Sequence, residues 1–407
     1  MSWNKRNSRF EGIAGWRDYE VRRLWRRALL FVLDRAGCLL LRFRKPFPMG
    51  TPPRRILVVR PEHFGDLVLT LPALRRLLAA FPGARIALLV RPEYAGWMSS
   101  WGVADEVLPL DVPWTRRPKP PGRGWVPFLL RLPAGGRYDL AMTFHGDLRT
   151  ICLACRFAPQ VAGYGEGGGG FLLAVSHQRD RHRPAGQAHC DLVAEVAARF
   201  GGVRSSEALE QRRRPATGAM PAGLSGPYLI LHPGAGQPSK FWFPDRWLQV
   251  ASVAQQWGWT IVLTGSEAEH SLCARIAAGL ELGARQPVLN LAGQTSLADL
   301  STLVAQAQAV VAPDTGIIHL AVALGTPSVA LFGPNDPRQW GYQSPMHHSL
   351  VRPQPCSFCR LAHCPRTDAP RICLHAISVT EVIADLQEVL SSQKSREATV
   401  ERIRHSA

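Results

Sequence analysis

The sequence has no apolar run long enough to cross a membrane. Its first apolar stretch, residues 28–33, is interrupted by Asp34 and Arg35, whereas a spanning helix needs about 20 apolar residues. The N-terminus lacks the pattern of a signal peptide. The nine cysteines are odd in number and mostly scattered, which argues against a disulfide framework and is typical of a reducing compartment. We therefore expect a cytoplasmic protein.

Charged residues are also few, at 19% of the chain, but their formal balance is +17. A basic balance predicts acidic partners, such as the phosphates of a sugar nucleotide, anionic lipid or nucleic acid. The sequence has no helix-turn-helix, zinc-finger or aromatic RNA-binding signature, and its basic residues are spread along the chain. We expect no nucleic-acid partner.

The chain is long enough for two domains, and its pattern occurs twice. Short β-branched runs alternate with turns and amphipathic helices over residues 54–215 and again over 226–378. Residues 212–226, which mix basic, Pro, Gly and Ala residues, separate the two series. The alternation predicts two α/β domains with parallel sheets. A closing helix over 378–390 and a loose polar tail over 391–407 are expected to follow.

Residues 1–50 form a basic N-terminal extension that Pro46, Pro48 and further prolines connect to the first domain. Within it, residues 20–45 combine arginine clusters, Trp25 and a long apolar face. This composition is typical of a helix that lies in a membrane interface and binds anionic headgroups. The alternative is a basic amphipathic helix packed on the protein's own surface.

The strongest binding signal begins at residue 310, where a buried strand, a tight turn and a helix follow one another. A helix that opens after a strand directs backbone N–H groups to the sheet's carboxyl edge, where α/β proteins bind diphosphates. We predict that Asp314, Thr315 and Gly316 bind such a group. Alternatively, Asp314 only caps the helix and Gly316 only forms the turn. His319 either reaches the ligand or packs.

This stretch and others resemble the bacterial heptosyltransferases of glycosyltransferase family 9, the ADP-heptose:lipopolysaccharide enzymes. The resemblance covers about residues 54–390 and depends on several ordered motifs. They are GDLVLTLPAL at 65–74, KFWFPDRW at 240–247, TGSEAE at 264–269, NLAGQTSL at 290–297 and DTGIIHLAVALGTPSVALFGP at 314–334.

The resemblance implies a GT-B fold, in which two Rossmann-like domains face each other across a cleft. It also implies an inverting, metal-independent enzyme that moves a heptose or a related sugar from an ADP-sugar to a lipopolysaccharide core or similar glycan acceptor. The protein would then sit peripherally on the cytoplasmic face of the inner membrane, with residues 20–45 as its contact. No cofactor is expected besides the donor substrate.

The same resemblance assigns roles to single residues. Asp66 matches the proposed catalytic base, and a carboxylate can take the proton of an attacking acceptor hydroxyl; its alternative role is a helix cap. Lys240 matches a residue that contacts the diphosphate or the transferring sugar, where a cation offsets developing charge. Its alternative is a solvated loop lysine.

A further motif implies contacts with the nucleoside. Thr264 and Gly265 belong to a strand-end turn that binds the nucleotide sugar in the family, and an acidic residue after them reaches the ribose or base. Glu267 and Glu269 both fit that role, and we prefer Glu269.

One departure from the family pattern limits the prediction. The turn before Gly65 is Pro-Glu-His-Phe, residues 61–64, where family members carry small hydroxyl residues, so the exact sugar and acceptor stay open. No Asp-x-Asp pair stands out as a ligand for Mg²⁺. We therefore predict no catalytic metal, and expect Lys240 and the helix terminus to stabilise the leaving group.

Two motifs have no assigned role. The glycine-rich loop at 163–170 lacks the Lys-Ser/Thr of a P-loop, and we interpret it as a surface linker rather than a phosphate cradle. Four cysteines could hold a structural zinc ion or an iron–sulfur cluster, although their spacing fits zinc knuckles only loosely. They are Cys356, Cys359, Cys364 and Cys373.

Two other functions are compatible with the same fold. A sugar-nucleotide epimerase would need a second acid/base carboxylate and would form products without an acceptor. A non-catalytic, membrane-associated glycan-assembly protein would keep its role after Asp66→Ala and Lys240→Ala.

Overall fold

The computed structural model divides the chain into two compact units, residues 1–212 and 213–407. The division falls at the start of the predicted linker. The structure describes residues 24–41, 50–116, 124–133, 136–180, 182–203, 218–281 and 286–406.

The first unit contains a parallel six-stranded sheet in the order β3-β2-β1-β4-β5-β6. Its strands are β1 Arg55–Val59, β2 Arg85–Val90, β3 Glu106–Pro109, β4 Leu140–Thr143, β5 Gln160–Tyr164 and β6 Val175–His177. Its helices are α1 Leu24–Leu41, α2 Phe64–Ala80, α3 Pro92–Ser100, α4 Trp125–Arg131, α5 Leu148–Phe157 and α6 Ala185–Arg199.

The second unit contains another parallel six-stranded sheet, in the order β12-β11-β10-β7-β8-β9. Its strands are β7 Tyr228–Leu231, β8 Thr260–Leu263, β9 Val288–Asn290, β10 Ala309–Pro313, β11 Ser328–Phe332 and β12 His347–Val351. Its helices are α7 Pro244–Gln256, α8 His270–Glu281, α9 Leu297–Gln306, α10 Gly316–Leu324, α11 Pro337–Trp340, α12 Ile372–His375 and α13 Val379–Ser406.

Both sheets have one topology. In each, the first strand in sequence lies beside the second on one side and the fourth on the other, which is the Rossmann order. The strand order reverses between β1 and β4 and between β7 and β10. Ligands of such sheets bind beyond the carboxyl ends of the strands at this switch point. The predicted pair of Rossmann-like domains is confirmed.

Burial of the central strands explains their composition. Ile56 to Val59 in β1 and Ala309 to Ala312 in β10 are fully buried, as expected for parallel strands that helices cover on both faces. In the second unit Trp247 on α7 is also fully buried and packs edge-on against Trp242, with ring centroids 5.1 Å apart. These cores fix the strand ends from which the candidate sites project.

The prediction of a loose tail after residue 390 is wrong, because α13 continues to Ser406. Residues 391–406 contain no Gly or Pro, so nothing in the sequence terminates the helix. Its first half belongs to the core of the second unit. Val382, Leu386 and Val389 are buried there at helical spacing.

The glycine-rich loop is not a surface linker. Gly168, Gly169 and Gly170 are buried, and Gly168 and Gly169 have φ values of 91° and 87°, which only glycine adopts readily. A Cβ at Gly169 would lie 2.7 Å from Leu148 on α5. The loop therefore packs tightly against helix α5 within the first unit.

The N-terminal helix α1 covers most of the segment that the sequence assigns to the membrane surface. Within the described part of the chain, no helix is both long and apolar enough to span a bilayer. Residues 20–23 and 42–45 of that segment lie outside the described residues.

Candidate active site

Asp66 lies in the first turn of α2, directly beyond the carboxyl end of β1. Its Oδ2 accepts the backbone N–H of His63 at 3.4 Å, and its Oδ1 is 3.7 Å from the Arg60 guanidinium. Its side chain stays 28% exposed. The carboxylate thus helps to cap α2 and remains accessible, so the two roles considered for it are compatible.

Positive neighbours set the charge of Asp66. Burial by itself raises the pKa of this carboxyl. Arg60, His145 and His63 outweigh that effect, and the net pKa lies below its usual value. His145 follows β4, the strand beside β1 at the switch point. Asp66 is therefore ionised at neutral pH and can accept a proton.

Glu62 is a second carboxylate beside this site that the sequence did not single out. Its side chain is buried, and one oxygen, Oε2, lies 3.4 Å from Nη1 of Arg60. Its other oxygen, Oε1, is buried and has no hydrogen-bond partner among the described residues. Burial raises the pKa of Glu62, and neighbouring Asp66 adds to the rise, although Arg60 and His145 oppose it. The two carboxyls therefore differ: the pKa of Asp66 lies below its usual value and that of Glu62 lies above it.

The fold should lose stability with rising pH because of Glu62. Its proton stabilises the folded chain below the ordinary pKa of 4.5, and this contribution is lost as the pH rises toward the raised folded value. In that window the slope reaches at most about 1.4 kcal/mol per pH unit. The melting temperature of Glu62→Gln should gain on that of the wild type as the pH rises above 4.5. The exposed Glu106→Gln is the control, and equal slopes for all three proteins would show that folding does not raise the pKa of Glu62.

Lys240 and Asp314 form the centre of the second unit's site. Lys240 ends the short turn before α7, and Asp314 follows β10 at the switch point. The Lys240 ammonium donates to Asp314 Oδ2 at 2.8 Å and to the Asp314 carbonyl at 2.9 Å. Asn335, after β11, donates to the same carboxylate at 2.6 Å. Lys240 is only 15% exposed, which excludes the solvated-lysine alternative.

Helix α10 begins at Gly316, and Thr315, not Asp314, is its N-cap residue. The Thr315 side chain makes no capping hydrogen bond. The alternative in which Asp314 is only a helix cap is therefore wrong, since its carboxylate binds Lys240. The first N–H groups of α10 have no acceptor within the helix, and they lie beside this cation. A cation next to a helix N-terminus suits a diphosphate.

His319, one turn into α10, is buried and pairs with Tyr342, whose hydroxyl lies 3.0 Å from His319 Nδ1. The rings also meet edge-on, with centroids 5.6 Å apart. This geometry favours the packing role of the two considered for His319.

Glu269 lies against the turns that follow β7 and β8. Its Oε2 accepts from the backbone and the hydroxyl of Ser266, at 2.6 and 2.8 Å. A Cβ at Gly234 would lie 2.0 Å from Glu269 Oε1, and one at Gly265 would lie 3.1 Å from its Oε2. Both glycines thus make room for this carboxylate at the switch-point side of the sheet, where a ribose would bind.

The other two residues of this motif differ from Glu269. The side chain of Glu267 lies against Gly293, beyond β9 and farther from the switch point. Thr264 is buried, with its hydroxyl 3.0 Å from His232 Nδ1, so its side chain belongs to the packing of the turn. The preference for Glu269 over Glu267 stays a prediction that this geometry supports.

The four-cysteine segment packs against the turn that carries Lys240. Ser239 donates its N–H to Ala362 at 3.1 Å and its hydroxyl to Leu361 at 2.6 Å, and Arg371 donates to the Phe241 carbonyl at 2.6 Å. Hydrogen bonds therefore hold the residues on both sides of Lys240 against the four-cysteine segment. None of the four cysteines is in a disulfide, and a metal there stays a prediction; they are Cys356, Cys359, Cys364 and Cys373.

The described residues include one group with the spacing of a metal site, His348 on β12 with Asp385 and Glu388 on α13. His348 Nδ1 already lies 3.3 Å from Asp385 Oδ2. The group is separate from the turns that hold Asp66 and Lys240, and we assign it no catalytic role.

The shared strand order and the chemistry at the two switch points define the class of this protein. Two Rossmann-like units in one chain are the fold of the GT-B glycosyltransferases. The ionised carboxylate in one unit and the cation beside a helix N-terminus in the other are groups that glycosyl transfer can use.

Comparison with known proteins gives the family. The model for glycosyltransferase family 9 (heptosyltransferase) matches residues 131–368. Lipopolysaccharide heptosyltransferase 1 of Pseudomonas aeruginosa is 30% identical over 317 residues, which are 76% of this chain and 87% of that protein. The chain therefore belongs to glycosyltransferase family 9.

Solved structures agree on the fold. The Escherichia coli ADP-heptose lipopolysaccharide heptosyltransferase II superposes with a TM-score of 0.62 at 22% identity and covers 84% of this chain and 99% of its own. An Escherichia coli heptosyltransferase with ADP gives a TM-score of 0.60 at 21% identity, covering 83% of this chain and 98% of that one. The GT-B prediction is confirmed.

Proposed function

We propose that this enzyme transfers a heptose, or a closely related sugar, from an ADP-sugar to a lipopolysaccharide core or similar lipid-linked glycan. The observation that carries the proposal is the buried Lys240–Asp314 pair at the start of α10. The names of the relatives support the substrates, since they include lipopolysaccharide heptosyltransferases and one was solved with ADP. Family membership favours transfer over the epimerase and the non-catalytic alternatives.

In the proposed mechanism the acceptor hydroxyl displaces ADP in a single step that inverts the anomeric carbon. Asp66 takes the hydroxyl proton as the new C–O bond forms. The bond from the anomeric carbon to the diphosphate breaks, and its electron pair leaves with the ADP.

Lys240 and the first N–H groups of α10 receive the charge of the leaving diphosphate. An ammonium has three N–H donors, and Asp314 accepts two of those of Lys240, so the third is directed to a phosphate oxygen in this proposal. Asp314 orients Lys240, and Asn335 orients Asp314. The protein's own groups thus supply the charge stabilisation, and we propose that transfer needs no metal.

We expect selective stabilisation of the protein by ADP. A ligand at about a hundred times its dissociation constant raises the free energy of unfolding by about 2.7 kcal/mol. Thermal melting with ADP, UDP or GDP, each with and without EDTA, measures this. Selectivity for ADP and insensitivity to EDTA are the expected results. A preference for UDP or GDP would overturn the donor, and loss of activity in a transfer assay with EDTA would overturn metal independence.

We also propose a place for the enzyme, peripheral on the cytoplasmic face of the inner membrane, because a lipid-linked acceptor is held there. Transfer to such an acceptor favours an enzyme that stays at the membrane surface between turnovers.

A further inference from the structure

One face of helix α1 packs against the rest of the first unit. Asp34 is buried, and its Oδ1 accepts the backbone N–H of Gly169 at 2.8 Å. One turn further along, a Cβ at Gly37 would lie 2.4 Å from the ring of Phe171. The helix thus contacts the glycine-rich loop closely, which gives that loop a role that the sequence did not reveal.

The opposite face of α1 is apolar and exposed. Leu29, Val32 and Leu33 are exposed by 50%, 61% and 47%, and Ala36 is exposed as well. Their spacing of three, four and seven residues places them on one stripe of a helix. Of the six large hydrophobic side chains that are exposed among the described residues, three belong to this stripe. A contiguous exposed apolar surface marks a site of interaction.

The charge around α1 selects the partner. Residues 20–45 contain eight Arg and Lys but only two acidic residues, Glu20 and Asp34, and the latter is buried against Gly169. A basic segment with an apolar stripe fits an anionic lipid surface, where headgroups neutralise the arginines and the stripe enters the acyl boundary. A second copy of the chain would bring two basic surfaces together, which is unfavourable.

We propose that the outward stripe of α1 binds an anionic lipid bilayer, and that its attachment through Asp34 and Gly37 fixes the orientation of the first unit on that surface. The inference rests on the proposed function in one respect, because it takes the acceptor to be linked to a lipid. It explains why one helix combines a buried carboxylate on its inner face with three exposed aliphatic side chains on its outer face.

Vesicle flotation with the full-length protein tests the lipid surface. We expect binding to vesicles of phosphatidylcholine with phosphatidylglycerol, weaker binding to phosphatidylcholine alone, and a loss of about tenfold or more in affinity for Val32→Gln/Leu33→Gln. The matched control is Val126→Gln/Leu130→Gln, which changes an exposed apolar pair on α4 of the same unit and should bind as the wild type does.

Three results would overturn the inference: no vesicle binding by the wild type, equal binding to both vesicle types, or equal losses in the two double variants. A dimer in sedimentation velocity that Val32→Gln/Leu33→Gln abolishes would assign the stripe to a second copy instead. Transfer to a water-soluble core oligosaccharide separates this inference from the proposed function, since Val32→Gln/Leu33→Gln should leave that rate unchanged. Transfer without vesicle binding refutes only the inference, and vesicle binding without transfer refutes only the proposed function.

The attachment has its own test. Asp34→Ala should remove the acceptor of the Gly169 N–H and lower hydrogen-exchange protection in α1 and residues 169–171, while the sheet of the first unit stays protected. Unchanged protection in both places would show that Asp34 does not hold the helix.

Discussion

Replacement of Asp66 by asparagine should lower kcat by about 10²- to 10⁴-fold, because the amide cannot take the proton of the acceptor hydroxyl. The fold should tolerate the change, since the amide oxygen can still accept the His63 N–H that Asp66 accepts now. Stabilisation by ADP should also persist, because the predicted diphosphate residues belong to the second unit. Transfer rates and ADP melting shifts measure the two effects separately.

The control for this variant is Asp111→Asn, which removes a carboxylate of the same unit that pairs with Arg116 on the surface. It should keep the wild-type rate. If Asp66→Asn retained more than about a tenth of kcat, another group would have to be the base. If it also lost the ADP shift, Asp66 would bind the donor rather than activate the acceptor.

Replacement of Lys240 by methionine should have two separable effects. Turnover should fall by about 10²- to 10³-fold, because the leaving diphosphate loses its cation. The free energy of unfolding should also fall, by about 3 kcal/mol, since the buried Asp314 carboxylate would lose its ion partner and keep the hydrogen bond from Asn335. Denaturant unfolding and transfer assays measure these losses, and the exposed Lys394→Met serves as control.

The double variant Lys240→Met/Asp314→Asn distinguishes structure from chemistry. It removes the uncompensated buried charge, so most of the lost stability should return. Turnover should stay low, because no cation is restored. Recovery of turnover together with stability would mean that Lys240 only holds the turn in place, and the proposed role in charge stabilisation would be wrong.

The sequence was sufficient for the fold, and it pointed to individual residues that lie at the switch points. Alternation of β-branched runs with amphipathic helices located strands such as Arg85–Val90 and Ser328–Phe332 at their observed bounds. The turn after a strand drew attention to Asp314, because switch points lie at strand ends. The family resemblance drew attention to Asp66 and Lys240. Local patterns carry this information.

Pairings between distant residues could not be predicted in this way. Lys240 and Asp314 are separated by 74 positions, and Asp34 and Gly169 by 135, so no local period connects them. Glu62 was passed over as part of a turn, although the departure of residues 61–64 from the family pattern was a usable signal. Its difference from Asp66 depends on burial, which only the tertiary structure provides.

Residues 391–406 show a different limit, because here the local sequence was misjudged. Residues 391–406 are polar, which favoured a loose segment, but composition without helix breakers was the better guide. The first half of α13 is ordered by core contacts of Val382 and Leu386, and the helix then continues beyond them.

The strand order also has a consequence for biosynthesis. All six strands of the first sheet precede Tyr228, and all strands of the second sheet begin at or after it. Each sheet is therefore formed only by strands of its own half of the chain. During translation the N-terminal half can therefore complete its sheet while the C-terminal half is still being made, as domains generally do. The two halves therefore fold one after the other during synthesis. Strands of one half then have little opportunity to pair wrongly with strands of the other.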